Sequence, residues 1–303
     1  MQYFPLFVDT QSLKVLIVGA GDVASRKLDL LSRTEANIHV IAVDVCHDTL
    51  NYLEQSRITL EQRAVSDADI QDYDLVYLCT ADKRLNERLA GIAKEQGIWA
   101  NVVDNPKYCR FITPSIVDRG RLQIAISTAG AAPVYARELR SRLESWLPQS
   151  ITPLFDFIAE RRQEVQQRLP VFKHRRVFWE QFFSRNAERF DDDTENHYQK
   201  SFALEPARGE LLLIDSSTSA ELLPIGAMPY LQKIDITYSS KPVPFEFNEL
   251  LRRDASYAAS FDDKTIEHKL AAGESCLVYG DSDEILRLAR QFPAAKLIRP
   301  GHF

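Results

Sequence analysis

The chain has 303 residues, 45% of them hydrophobic, and a formal net charge of −6. That size accommodates two or three domains with real cores, and the acidic balance argues against a nucleic-acid or membrane-surface partner. Four scattered cysteines (Cys46, Cys79, Cys109, Cys276) without a Cys-x-x-Cys give no support to zinc-ribbon or thioredoxin chemistry, and the lack of a leader pattern or membrane-length apolar run predicts a cytoplasmic protein.

An apolar strand over 15–18 runs into Gly19-Ala20-Gly21-Asp22-Val23-Ala24 and then into a helix over 25–33. This order suits a dinucleotide. Gly19 permits the tight turn, Gly21 lets backbone approach a pyrophosphate, and small Ala24 lets helix and strand pack closely. The helix start turns free N–H groups toward the phosphates. Only 11 residues are glycine, about half of ordinary usage, so two in one turn are informative.

A second strand over 38–43 ends at Asp44, 20 residues beyond Ala24. A carboxylate there can accept hydrogen bonds from a ribose 2′-OH and would repel a 2′-phosphate, which favours NAD over NADP. The alternative is a helix cap or a surface carboxylate. Strands over 58–63, 75–79 and 99–103, with a helix over 86–95, complete a βαβ alternation and hence a doubly wound parallel sheet. Ligands of such sheets bind beyond the carboxyl ends of the strands, where Gly19, Asp44, Thr80 and Asp104 fall. Asp104 closes Asn101-Val102-Val103-Asp104. It reads either as a proton donor and acceptor or as a turn residue before Asn105-Pro106.

Residues 111–117 and 122–127 read as two strands joined by Asp118-Arg119-Gly120-Arg121. Ser127, Thr128 and Gly130 then form a polar loop before an Arg-rich helix over 134–146. Such a loop suits backbone contact with an anion or caps the helix. Lys107, Arg110, Arg119, Arg121, Arg137, Arg140, Arg175 and Arg176 stand out in an acidic chain. Lining one cleft, they fit a substrate with several carboxylates; otherwise they are solvated faces. Residues 154–189 are helical with aromatic packing positions, and 189–208 are polar enough to predict a linker. A further α/β segment starts at 211–214, with apolar runs at 234–238 and 276–279. The six histidines, His39, His47, His174, His197, His268 and His302, show no ligand spacing, so no metal site is expected; His39 reads as structural and His174 as a weak pocket candidate.

Phe4-Pro5-Leu6-Phe7-Val8, the 15–27 turn, Asn101 to Asp104 with Pro106, Phe111 to Ser115, Arg119-Gly120, Ile124 to Thr128, and Pro133 before the Arg-rich helix occur in the order of the siroheme synthase N-terminal family, which this chain resembles over residues 1 to about 200. The resemblance implies a precorrin-2 dehydrogenase that is also a sirohydrochlorin ferrochelatase. NAD would be the oxidant, and ferrous iron (or cobalt) the metal substrate. Asp104 would be the general acid/base. Ser127, Thr128, Gly130, Lys107, Arg119 and Arg137 would face a tetrapyrrole with many carboxylates. It implies a homodimer with an NAD-binding domain over 1–113, a dimerisation segment over 114–150, a helical domain over 151–203 and a last segment over 204–303.

Two departures qualify that resemblance. The family's Ser-Thr-Gly-Gly-x-Ser-Pro loop reads Ser127-Thr128-Ala129-Gly130-Ala131-Ala132-Pro133 here. Residues 209–290 faintly resemble half of a uroporphyrinogen-III methyltransferase domain, but Asp215 to Ala220 replace its glycine-rich loop and only Gly280 of its paired glycines remains. No methyl transfer is expected of that segment; dimer contact or docking of a separate methyltransferase are its candidate roles. A chelatase without dehydrogenase activity and a non-catalytic NAD-binding sensor are the alternatives for the whole.

Overall fold

The computed structural model describes residues 2–203 and 209–301. The expected boundary at 203/204 abuts undescribed residues, and His302 lies outside the described residues. The chain divides into two compact units, Met1–Arg175 with Phe182–His197, and Arg176–Gln181 with Tyr198–Phe303.

The first unit begins with strands β1 (Lys14–Ala20), β2 (Asn37–Val45), β3 (Ile58–Gln62), β4 (Leu75–Leu78) and β5 (Trp99–Val102). They pair in parallel in the order β3-β2-β1-β4-β5. Helices α1 (Asp22–Leu31), α2 (His47–Glu54) and α3 (Lys83–Glu95) connect them. Period-two alternation sorts β1 between two cores: Val15 and Ile17 join Ala24 and Leu28 of α1, while Leu16 and Val18 join Leu89 and Ala93 of α3. The order reverses between β1 and β4, so a crevice opens at their carboxyl ends.

After β5 the chain turns back along the sheet edge, with the Arg110 amide donating to Ala100. The strand expected over 111–117 begins only at Ser115. Phe111 instead packs edge-on against Tyr77 with ring centroids 5.3 Å apart, and Pro114 has no amide to donate to a ladder. Strands β6 (Ser115–Arg119) and β7 (Leu122–Ile126) form a hairpin, followed by α4 (Pro133–Trp146), α5 (Ile151–Arg168), α6 (Phe172–Asn186) and α7 (Thr194–Lys200). Helix α7 corrects the expected linker over 189–208. The run is polar, but Tyr198 is fully buried, with its ring edge-on to those of Phe178 and Phe202 at 5.4 and 5.2 Å. Residues 204–208 of that linker lie outside the described residues.

The second unit is another parallel five-stranded sheet, in the order β10-β9-β11-β8-β12. Its strands are β8 (Leu211–Asp215), β9 (Ile236–Tyr238), β10 (Ser256–Ala258), β11 (Cys276–Gly280) and β12 (Lys296–Ile298). Short helices α8 (Met228–Leu231) and α9 (Phe245–Asn248) lie on one face, and α10 (Asp263–Ala271) and α11 (Ser282–Gln291) on the other.

Asp235 organises the entry to β9. Its Oδ1 accepts from Arg176 at 2.5 Å and from Arg252 at 3.1 Å, and its Oδ2 from the Ser275 amide at 2.8 Å. Burial pushes its pKa up, but these bonds and the two guanidinium charges outweigh burial and hold it below the ordinary carboxylate value. A depressed folded value contributes stability that is present above the unfolded pKa and lost as pH falls through the folded one. Asp235→Asn is therefore expected to cost about 1–3 kcal/mol in urea unfolding at pH 7. The gap to the parent protein should narrow below about pH 4; a gap unchanged with pH would count against the ionised form.

Candidate functional site

The turn after β1 has the shape a dinucleotide requires. Gly19 sits at φ +99°, and a Cβ there would lie 2.9 Å from the Cys79 carbonyl oxygen and 3.2 Å from the Thr80 nitrogen. Only glycine fits both the conformation and the approach of β4. Gly21 precedes α1 with ordinary φ, and a Cβ there meets nothing within 4 Å. No side chain caps α1, and its first intrahelical bond is Ser25 N–H to the Gly21 carbonyl. The amides of Asp22, Val23 and Ala24 are thus left for an anion. Ala20 and Ala24 are buried. This open cradle with unspent donors fits a pyrophosphate.

Asp44 is exposed near the end of β2, beside β1. Thr80 follows β4, but its hydroxyl is committed: it donates to Asn86 Oδ1 at 2.7 Å, and Asn86 Nδ2 donates to the Thr80 carbonyl at 2.9 Å. Thr80 therefore lines the crevice with its backbone, its hydroxyl being tied to α3. Beneath the same turn, burial pushes the Cys79 thiol up to about 12, so it stays protonated.

Asp104 follows β5, the strand beyond β4. It is exposed and makes no hydrogen bond or ion pair to the described residues. Its φ is +56°, a left-handed conformation that costs an ordinary residue about 1–2 kcal/mol and that Asp tolerates better than most. The surrounding turn is tied down. Asn105 Nδ2 donates to Glu87 Oε1 at 2.9 Å. Cys109 Sγ accepts the Val102 amide at 3.2 Å and lies 3.2 Å from the Val102 carbonyl oxygen. Asn101 is buried and donates to the Phe111 carbonyl at 2.9 Å, a structural role. Sequence reasoning missed Asn86, Glu87, Asn105 and Cys109. Asn86 carried a usable signal, a polar residue on the apolar stripe of α3; the others gave none.

The loop after β7 satisfies itself. Ser127 Oγ accepts the Ala129 amide at 3.0 Å, and Thr128 Oγ1 accepts the Ala132 amide at 3.1 Å. Ala129 stands at φ +53° and Gly130 at +83°, so the methyl group of Ala129 occupies a conformation that glycine would take without strain.

Most of the expected cationic cluster is spent on protein partners. Arg119 donates to the Asp118 carbonyl at 2.9 Å and to the Glu144 carbonyl in the last turn of α4 at 3.1 Å. Arg121 pairs with Asp156, Arg140 with Glu144 and Arg176 with Asp235. Arg175 donates to the Leu169 and Pro170 carbonyls, and Arg110 lies 5.7 Å over the Trp99 ring. These groups each have a carbonyl, carboxylate or ring at hand, in keeping with the alternative that most of them serve protein surfaces. Arg137 is exposed without a partner among the described residues, and Lys107 is exposed beside the Tyr108 ring at 5.8 Å. His174 is exposed, and His39 lies 3.2 Å from Glu61 and bonds to the Tyr73 hydroxyl. Among the described residues no group of three or more His, Cys, Asp and Glu is arranged to hold a metal ion, and no helix is long and apolar enough to cross a membrane.

The corresponding edge of the second sheet is closed. Asp215 Oδ1 accepts the Ser217 amide at 2.8 Å and its hydroxyl at 2.7 Å, and Oδ2 accepts the Ser282 hydroxyl. These bonds hold the Asp215 carboxyl below its ordinary value. The Ser216 amide donates to the Gly280 carbonyl at 2.7 Å, and a Cβ on Gly280 would fall 2.2 Å from Glu284 Oε2.

Residues 6–115 match a family described as putative NAD(P)-binding, 119–145 the sirohaem biosynthesis protein central region, and 150–202 the sirohaem synthase dimerisation region. The chain is 39% identical over 264 residues to a siroheme synthase of Pseudoalteromonas atlantica, covering 84% of this chain and 57% of the relative. It is 36% identical over 263 residues to that of Nitrosococcus oceani, covering 84% and 56%. With the siroheme synthase of Photorhabdus laumondii it shares 32% over 297 residues, covering 96% and 62%. The chain thus spans little more than half the length of these relatives. A solved structure described as SirC, precorrin-2 dehydrogenase, superposes with a TM-score of 0.52 at 23% identity, covering 66% of this chain and 98% of that one. That likeness concerns the fold.

Proposed function

Because the chain belongs to the siroheme synthase N-terminal family, we propose that it oxidises precorrin-2 to sirohydrochlorin with NAD and then inserts ferrous iron to give sirohaem. The observation that carries the reading is Asp104, an exposed carboxylate without a partner among the described residues, held left-handed at the edge of a sheet whose first turn is built for a pyrophosphate. Bound NAD supplies a hydride acceptor. Gly19, Gly21 and the start of α1, through Asp22 and Val23, seat its pyrophosphate, and Asp44 takes the ribose hydroxyls. As hydride leaves the macrocycle, Asp104 takes the accompanying proton and passes it to solvent. In chelation the same carboxylate helps remove the two pyrrole N–H protons that the metal displaces. Lys107 and Arg137 meet substrate carboxylates beside the Ser127–Gly130 loop, whose hydroxyls hold its shape. Arg119 acts on the substrate indirectly, by fixing the hairpin to α4.

The match of 150–202 to a dimerisation region supports a homodimer. The self-satisfied loop after β8 supports a second unit without methyl transfer. The test is anaerobic turnover of precorrin-2 with NAD, followed by absorbance, with ferrous iron added after the first phase. NAD-dependent formation of sirohydrochlorin is expected, then sirohaem faster than spontaneous insertion; cobalt in place of iron reads metal preference. Iron insertion into supplied sirohydrochlorin without the first phase would mean a chelatase only. NAD binding with neither phase would mean a sensor.

A further inference from the structure

We propose that Glu87 and Asn105, supported by Cys109, are positioning residues that hold Asp104 in reacting geometry, and that α3 sets the acid in register with the dinucleotide crevice. The inference rests on the catalytic reading of Asp104. Consecutive side chains of α3 hold two consecutive strand ends. Buried Asn86 fixes the loop after β4 through its two bonds to Thr80. Glu87 fixes the turn after β5 through Asn105 at 2.9 Å. On the other side of that turn, Cys109 Sγ is held at 3.2 Å by the Val102 amide and stands 3.5 Å from the Asn105 carbonyl. Asp104 is thus bracketed by Val102 and Asn105, the residues that Cys109 and Glu87 secure.

A left-handed non-glycine residue persists only where its surroundings over-determine it. At Asp104 the brackets on either side do so. Without them the backbone relaxes toward negative φ and swings the carboxylate away from its place at the sheet edge. Proton transfer needs hydrogen-bond reach, and a displacement of about 1 Å costs about 10²-fold in rate. Because Asn86 and Glu87 are neighbours on one rigid helix, the crevice and the acid share one ruler.

Glu87→Ala and Asn105→Ala are expected to lower kcat about 10- to 10²-fold and to leave KM for NAD unchanged, since Gly19, Gly21 and the Asn86–Thr80 pair are untouched. Glu87→Gln, whose amide oxygen still accepts from Asn105, should recover most of the rate. The carbon chemical shifts of Asp104 read its backbone without turnover. They should leave the left-handed range in Glu87→Ala and remain there in Glu87→Gln. A lower melting temperature with kcat and shifts unchanged would reduce Glu87 to a structural contact and overturn the proposal. An inactive Asp104→Asn beside a fully active Glu87→Ala overturns the positioning role and leaves the catalytic reading standing. If the parent protein itself does not turn over precorrin-2, the catalytic reading fails, and the shifts alone decide whether α3 holds the turn.

Discussion

Asp104→Asn is expected to lower precorrin-2 turnover by about 10²–10⁴-fold, the usual contribution of a general acid–base group, with NAD affinity and melting temperature close to those of the parent. The substitution is clean for a structural reason. Asp104 stands at φ +56°, and Asn is among the few residues that accept that region readily. Among the described residues the side chain has no partner whose loss could be felt elsewhere. What changes is proton affinity: an amide neither takes up nor releases a proton near neutral pH. Measured together, turnover, NAD binding and thermal unfolding separate the chemistry from the fold. A turnover within a few-fold of the parent would remove Asp104 from the mechanism and leave the exposed carboxylate without a function.

Gly21→Asp should abolish dinucleotide binding without unfolding the protein. The direction of its missing Cβ is empty to 4 Å and its backbone is ordinary, so the fold accepts a Cβ there. It does enter the space left for the pyrophosphate and adds a like charge there. NAD affinity is expected to fall at least about 10²-fold, equivalent to roughly 2.7 kcal/mol, while iron insertion into supplied sirohydrochlorin continues. Calorimetric titration with NAD beside a chelation assay reads both. Loss of the two activities together would show that the crevice serves more than the cofactor. Gly19 is a poorer probe, because its left-handed φ and the 2.9 Å approach of Cys79 would confound binding with folding.

The β1 turn was legible because glycine usage there answers a local steric demand that the structure makes explicit at Gly19. The parallel, doubly wound character of the first sheet followed from βαβ alternation, and the α/β nature of the segment from 211 from its apolar runs; the strand orders came only with the structure. Helix α7 was not legible: Thr194 to Lys200 carry the polarity of a linker, and only tertiary packing makes Tyr198 a core residue. The start of α3 lay three residues ahead of its expected position, where Asp82 caps the Arg84 and Leu85 amides. Strand β10 (Ser256–Ala258) is mostly exposed and shows no pattern to read. The place of Asp104 just after β5 was legible. The fate of the arginines was not, because Arg176 finds Asp235 59 residues away and sequence spacing carries no record of such partners.

A ligand stabilises a fold only to the extent that it binds the folded form, by RT ln(1 + [L]/Kd), about 2.7 kcal/mol at a hundredfold excess over Kd. The first sheet keeps unspent amides at its carboxyl edge, so its stability is open to adjustment by cofactor supply. At the second edge Asp215 accepts from Ser217 and Ser282, and the Gly280 carbonyl from the Ser216 amide. There the donors of the loop are already spent on protein acceptors, so that edge gives a dinucleotide no comparable hold on the stability of the second unit.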